Sequence, residues 1–139
     1  MSLANFNGNW EQTEKGANFK DFLAALGVGV LKRNIANNMG RTITFEAIDD
    51  KNFHVISKSK LKTNDKKFCL GVSQDGKRDD DMECTTVFNF VDGKIVQDEE
   101  AKDGKKYQHV WEVDGDVMKM TLKIGSIECV QVYKKIWIK

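Results

Sequence analysis

The sequence predicts an all-β fold, a small antiparallel β-barrel carrying one helical lid. Three observations carry this reading. Only the stretch between Asn18 and Met39 has helical periodicity, almost everything else is short alternating runs separated by Gly, Asp and Asn, and the 139 residues contain no proline. A barrel with a lid encloses space, so the fold class already points to a container.

The elements follow in chain order. An opening strand is expected from Phe6 to about Thr13. In the helical stretch Phe19, Phe22, Leu23 and Leu26 fall at i, i+3, i+4 and i+7, the apolar stripe of an amphipathic helix. Asn18 stands at the N-cap position and Asp21 suits the positive end of the helix dipole. Gly27 offers a stop, because glycine takes the left-handed conformation without steric cost. A second short helix repeats the spacing with Val28, Leu31 and Ile35, leaves Lys32, Arg33, Asn34 and Asn37 on its other faces, and ends at Gly40. Together the two make a helix-turn-helix lid over about 18–39.

Beyond Gly40 the turn marks are regular: Asp49-Asp50-Lys51-Asn52, Thr63-Asn64-Asp65, Asp75-Gly76, Asp92-Gly93, Asp103-Gly104, Asp114-Gly115 and Gly125-Ser126. The runs between them have strand length, and Asp-Gly pairs flanked by alternation signal hairpins, so about ten strands in an up-and-down meander are expected. In Val117–Ile124, Met118, Met120 and Leu122 alternate with Lys119, Thr121 and Lys123, which fixes the inner face. In the preceding strand Tyr107, His109, Trp111 and Val113 share one side. The last strand, Ile127–Ile136, has two mixed faces, and its pattern leaves the orientation open. If Gln131 and Tyr133 point inward, an amide and a phenol inside the barrel each require a hydrogen-bond partner.

Composition bounds the function. The length suits one domain, 1–139, and Lys plus Arg (22) nearly balance Asp plus Glu (21), so no global field favours nucleic acid. No apolar run approaches the ~20 residues that span a bilayer, and Met1–Asn9 lacks the basic and apolar regions of a secretory signal; a soluble, cytoplasmic protein is expected. Cys69, Cys84 and Cys129 lack C-x-x-C spacing and read as reduced thiols. His54 and His109 are the only histidines, without the spacing of a metal site. Lys77-Arg78 followed by Asp79-Asp80-Asp81 lacks the EF-hand pattern and reads as a solvated turn. No Gly-x-Ser-x-Gly occurs, so an enzyme on this barrel would have to use Tyr107, His109 and Tyr133. Neither catalysis nor a cofactor is expected.

Along essentially its whole length the chain resembles the intracellular lipid-binding proteins, the family of fatty-acid-binding and cellular retinoid-binding proteins. The resemblance rests on Phe6-Asn7-Gly8-Asn9-Trp10, on Asn18-Phe19 through Ala25-Leu26-Gly27-Val28, on Phe68-Cys69-Leu70-Gly71, and on Cys129-Val130-Gln131-Val132-Tyr133-Lys134-Lys135. It implies a ten-stranded flattened barrel, closed at one end by side chains, with Trp10 in its base, and at the other by the helices. It also implies a cavity for one or two lipid molecules and no enzymatic activity. Ligand-binding positions implied are Phe19, Phe22, Leu23, Val55, Ser57, Ser59, Leu61, Asp80, Met82, His109, Trp111, Met120, Leu122, Gln131 and Tyr133, with Arg41, Lys60 and Lys62 near the portal.

One departure bears on the ligand. Many fatty-acid binders hold the carboxylate with an arginine on the eighth strand and an Arg-x-Tyr on the last; here Trp111 and Gln131 stand at the two arginine positions and only Tyr133 is kept. Burying a carboxylate without a cation costs several kcal/mol, against about 1 kcal/mol from a neutral hydrogen bond. Within the family, a neutral head such as a retinoid alcohol is therefore expected slightly ahead of a fatty acid held with its carboxylate near the portal. Lys32 and Arg33 on the lid's outer face read as ordinary solubilising charges ahead of the alternative, transient contact with an anionic membrane, and a monomer is expected.

Overall fold

The computed structural model describes residues 2–60 and 62–137. A 3₁₀ turn, Leu3–Phe6, leads into β1 (Gly8–Glu14), the helices α1 (Phe19–Ala25) and α2 (Val30–Asn37), and then β2 (Thr42–Ala47), β3 (Asn52–Lys58), β4 (Thr63–Cys69), β5 (Gln74–Lys77), β6 (Glu83–Val91), β7 (Lys94–Ala101), β8 (Lys106–Asp114), β9 (Val117–Ile124) and β10 (Ile127–Ile136). All ten strands form one antiparallel sheet in the order β4-β3-β2-β1-β10-β9-β8-β7-β6-β5. The sheet curls until its two edge strands face each other. No backbone ladder joins β4 to β5; side chains span the gap, with Gln74 Nε2 donating to the Lys67 carbonyl at 3.1 Å.

The regular alternation of β9 decides the register around it. Met118, Met120 and Leu122 are buried, and across the ladder Met120 faces Gln131 while Met118 faces Tyr133. Residues directly opposite share a face of the sheet, so Cys129, Gln131 and Tyr133 point inward and Val130 outward. The base of the barrel is aromatic. Phe45 stacks on Phe53 at 5.1 Å, Phe53 meets Phe88 edge-on at 5.1 Å, and Phe68 lies 4.6 Å from Phe88. Trp10 is fully buried there, its Nε1 donating to the Phe6 carbonyl at 2.9 Å, and Lys135 Nζ lies over its ring, with Trp137 on the other side. Ile136 pairs with Asn9 and so lengthens the last strand; Ile138 and Lys139 lie outside the described residues.

Several expected boundaries shift. Phe6 belongs to the 3₁₀ turn, and β1 starts two residues later. Thr63-Asn64-Asp65 opens β4, while the turn before it is closed by Ser59 N–H donating to the Lys62 carbonyl at 2.9 Å. Asp75-Gly76 lies within β5, where Gly76 pairs with Cys84. Across the gap Gly76 faces the end of the flexible Lys66 side chain, and it makes no turn. Asp92-Gly93 does form the tight turn its residue types favour, with φ of 52° and 79°.

In the lid, α1 ends as expected at Gly27: with φ of +88°, its N–H donates to the Ala24 carbonyl and that of Val28 to Leu23, a Schellman pair. Asn18 makes no cap; its Nδ2 donates instead to the Glu128 carbonyl at 2.6 Å and ties the lid to β10. The second helix departs more. It starts at Val30, and no residue in it is buried; Leu31 is 75% exposed and Val30 63%. Of its expected apolar stripe only Val28, before the helix, is buried, while Lys32 Nζ donates to the Asp80 carbonyl and Arg33 Nη1 to the Val28 carbonyl at 2.7 Å. Lys32 thus faces the barrel mouth rather than the outer face.

Candidate functional site

Strand parity places a continuous polar patch on the inner wall of β6–β8. Ile95 and Ala101 are buried, so Gln97 and Glu99 between them also point inward, beside Cys84 and Thr86 on β6 and Tyr107, His109 and Trp111 on β8. Glu99 accepts from Thr86 Oγ1 at 2.5 Å and Gln97 Nε2 at 3.2 Å, with His109 Nε2 at 3.9 Å. Gln97 Oε1 accepts from Trp111 Nε1 at 3.1 Å. Burial lowers the His109 pKa against the pull of Glu99, and the ring is therefore neutral near pH 7. Burial, with Glu99 adding to it, pushes the Tyr107 hydroxyl far above its ordinary range; Arg78 opposes without prevailing.

Trp111 reaches across the barrel, its ring 6.3 Å from Phe45 on β2 and 6.2 Å from Phe88 on β6. From above, Phe22 of α1 meets His109 edge-on at 6.1 Å, so the lid's inner face touches the polar wall directly. Phe19 and Leu23 are half-buried against the same core.

The mouth is held by charges. Arg41, just before β2, pairs with Asp79 of the β5–β6 turn at 2.6 Å, and Asn64 Nδ2 donates to the same carboxylate at 2.5 Å. Arg41 is not confined to the rim as expected: its guanidinium also acts on Tyr133, opposing the burial that raises that hydroxyl's pKa. Tyr133 in turn donates to Gln131 Oε1 at 3.4 Å. The run Lys77 to Asp81 is not simply a solvated turn. Arg78 and Asp80 have side chains only 9% and 17% exposed and form a forked pair, Nε and Nη2 to the two carboxylate oxygens at 2.9 and 2.8 Å. Lys62 Nζ pairs outside with Asp81 at 3.1 Å. Beside this turn a cleft of about 460 Å³ opens under the link between the helices, lined by Val28, Lys32, Asp80 and Met82 among others.

Of the residues singled out in the sequence, Phe22, Trp111, Met120, Leu122, Gln131 and Tyr133 share one buried interior, with His109 half-buried at its edge. Arg41, Asp80 and Met82 gather at the mouth. Val55 and Ser57 are half-buried on β3, Ser59 closes the β3–β4 turn, Lys60 is exposed, and Leu61 lies outside the described residues. Arg78, Glu99, Gln97 and Thr86 were missed. The signal for Gln97 and Glu99 was present but weak: they share the parity of Ile95 and Ala101, the buried apolar residues of β7, with Val96 on the opposite face. For Arg78 no local signal exists, because its partner Tyr107 lies three strands away in the sheet order.

The sequence profile described as "Lipocalin / cytosolic fatty-acid binding protein family" matches residues 7–136. The chain belongs to that family. Among relatives, "Sodium/calcium exchanger regulatory protein 1" of Doryteuthis pealeii is 27% identical over 133 residues, covering 96% of this chain and 98% of that one. The "Fatty acid-binding protein" of Clonorchis sinensis is 29% identical over 134 residues, covering 96% and 99%. The solved Schistosoma mansoni fatty acid binding protein in complex with arachidonic acid superposes with a TM-score of 0.90 at 28% identity, covering 99% of this chain and all of that one. Family membership accounts for the ten strands, the two-helix lid and the gap at the sheet edge.

Proposed function

We propose that the protein is a non-enzymatic, cytoplasmic carrier that takes one hydrophobic small molecule with a single polar head, a long-chain fatty acid or a retinoid-type lipid, into the barrel interior. The observation that carries this reading is the division of the interior: an aromatic base around Phe45, Phe53, Phe88 and Trp111, and above it polar side chains reached from a lidded mouth. Such a site suits a molecule apolar at one end and polar at the other. The relatives named as fatty-acid-binding proteins support it.

The neutral head favoured by Gln131 alone loses its advantage once Arg41 and Arg78 are counted, since both bring a cation to the enclosed space. Among the described residues no hydrogen bond joins His109 to Tyr107 or Tyr133, and the Tyr107 hydroxyl is held protonated, which favours binding over catalysis. Val30 and Leu31, exposed on α2, support brief contact of the lid with a membrane during transfer.

Titration calorimetry of delipidated protein with saturated acids of rising length tests the proposal. Each buried methylene contributes about 0.8 kcal/mol, so two added carbons should tighten binding roughly tenfold until the cavity is full. No measurable heat with fatty acid, fatty alcohol and retinol alike would refute it.

A further inference from the structure

Two buried polar groups in the interior make no hydrogen bond of good geometry among the described residues, Arg78 Nη1 and Tyr107 Oη, although the guanidinium is close enough to favour the tyrosinate. They lie together, the guanidinium carbon 5.4 Å from the centroid of the tyrosine ring. Tyr107 is 5% exposed and the Arg78 side chain 9%. A donor left dry and unpaired has lost its hydration with nothing in return, and a charged one loses more, so the pair calls for an acceptor.

We infer that this pair is the head-group site of the bound lipid, with a fatty-acid carboxylate accepting from Arg78 Nη1–H and Tyr107 O–H; this rests on the carrier function proposed above. Arg78 Nη1 can only donate, and the Tyr107 hydroxyl can donate as well as accept, so one oxygen acceptor is a complement that serves both at once. The fork to Asp80 occupies Nε and Nη2, fixes the plane of the guanidinium, and leaves Nη1 as its free edge. A guanidinium so held can serve a second carboxylate on that edge.

At the last-strand position Tyr133 already donates to Gln131, the Arg41 guanidinium beside it is paired with Asp79, and Trp111 fills the space between Phe45 and Phe88. The inferred site lies instead beneath the β5–β6 turn, whose Asp80 also lines the entrance cleft. Glu99 is the opposing charge. It acts on Tyr107 and repels an incoming carboxylate, and its hydrogen bonds to Thr86 and Gln97 spread but do not remove that charge.

The test uses delipidated full-length protein, oleate, and methyl oleate as the uncharged counterpart, with folding of each variant checked by thermal melting. Tyr107→Phe, which removes one oxygen, should weaken oleate about tenfold. Glu99→Gln should tighten oleate several-fold and leave methyl oleate unchanged, because only an anion feels the lost charge. Arg78→Gln should abolish the preference for oleate over the ester; if it fails to fold with Asp80 left unpaired, Arg78→Lys, which keeps the charge and loses the fork, should reduce that preference. Unchanged oleate affinity in Tyr107→Phe, or a Glu99→Gln effect equal for acid and ester, overturns the inference while leaving the carrier standing. If the unaltered protein binds neither ligand, the carrier reading itself fails.

Discussion

Trp111→Ala tests the interior most directly. The indole is 5% exposed, lies between Phe45 and Phe88 from opposite sides of the barrel, and donates to Gln97 Oε1 at 3.1 Å. Truncating a large buried aromatic costs about 3–5 kcal/mol in a packed interior, and the lost hydrogen bond lies within that range. Taking about 4 kcal/mol and an unfolding entropy of about 2.1 cal/mol/K per residue, a chain of 139 residues should lose roughly 14 °C in Tm. Calorimetric melting of the delipidated protein measures this. Saturating oleate should restore more stability to the variant than to the parent, because a tail can fill the vacated space, and bulky ligands should gain affinity relative to straight chains. A loss below about 1 kcal/mol, or an unchanged ligand preference, would refute a role for this side chain in bounding the space open to a ligand.

Two further substitutions probe the frame. Gly16→Ala should destabilise by more than 2 kcal/mol as an order-of-magnitude figure, since Gly16 has φ of +85° and a Cβ there would lie 2.6 Å from Cys129 Sγ and 2.8 Å from the Val130 carbonyl; urea denaturation would show it as a lower midpoint at unchanged slope. His109 gives a pH dependence. Its folded pKa is below the unfolded value, so the unfolded chain takes up the proton first, and stability present above about pH 6.5 is lost as the pH falls below it. His109→Gln should flatten that part of the stability profile, and an equal slope in both proteins would exclude this residue as the cause.

How much of this was readable in advance depended on whether the deciding contact was local. The strand Val117–Ile124 declared its inner face through Met118, Met120 and Leu122, and Gly27 marked the end of α1, because both signals sit within one element. The last strand had two mixed faces and became readable only through its ladder to β9. Periodicity found a stripe on α2 but not what would cover it, and of that stripe only Val28, before the helix, is buried. Asp75-Gly76 has the residue types of a turn, yet it lies inside β5, where Gly76 pairs with Cys84. Arg78 and Tyr107 meet only after the sheet has curled, and no spacing along the chain announces such a pair.

The unjoined edges of β4 and β5 have a consequence for how the protein lives in a crowded solution. An open strand edge invites pairing with another chain, and an ordinary ten-stranded sheet would present two of them. Here each edge is turned toward the other, at a spacing held by Gln74 and by the Asn64–Asp79 contact. The protein thereby keeps a seam along which its circumference can change without breaking any backbone ladder, while offering a passing strand no free template.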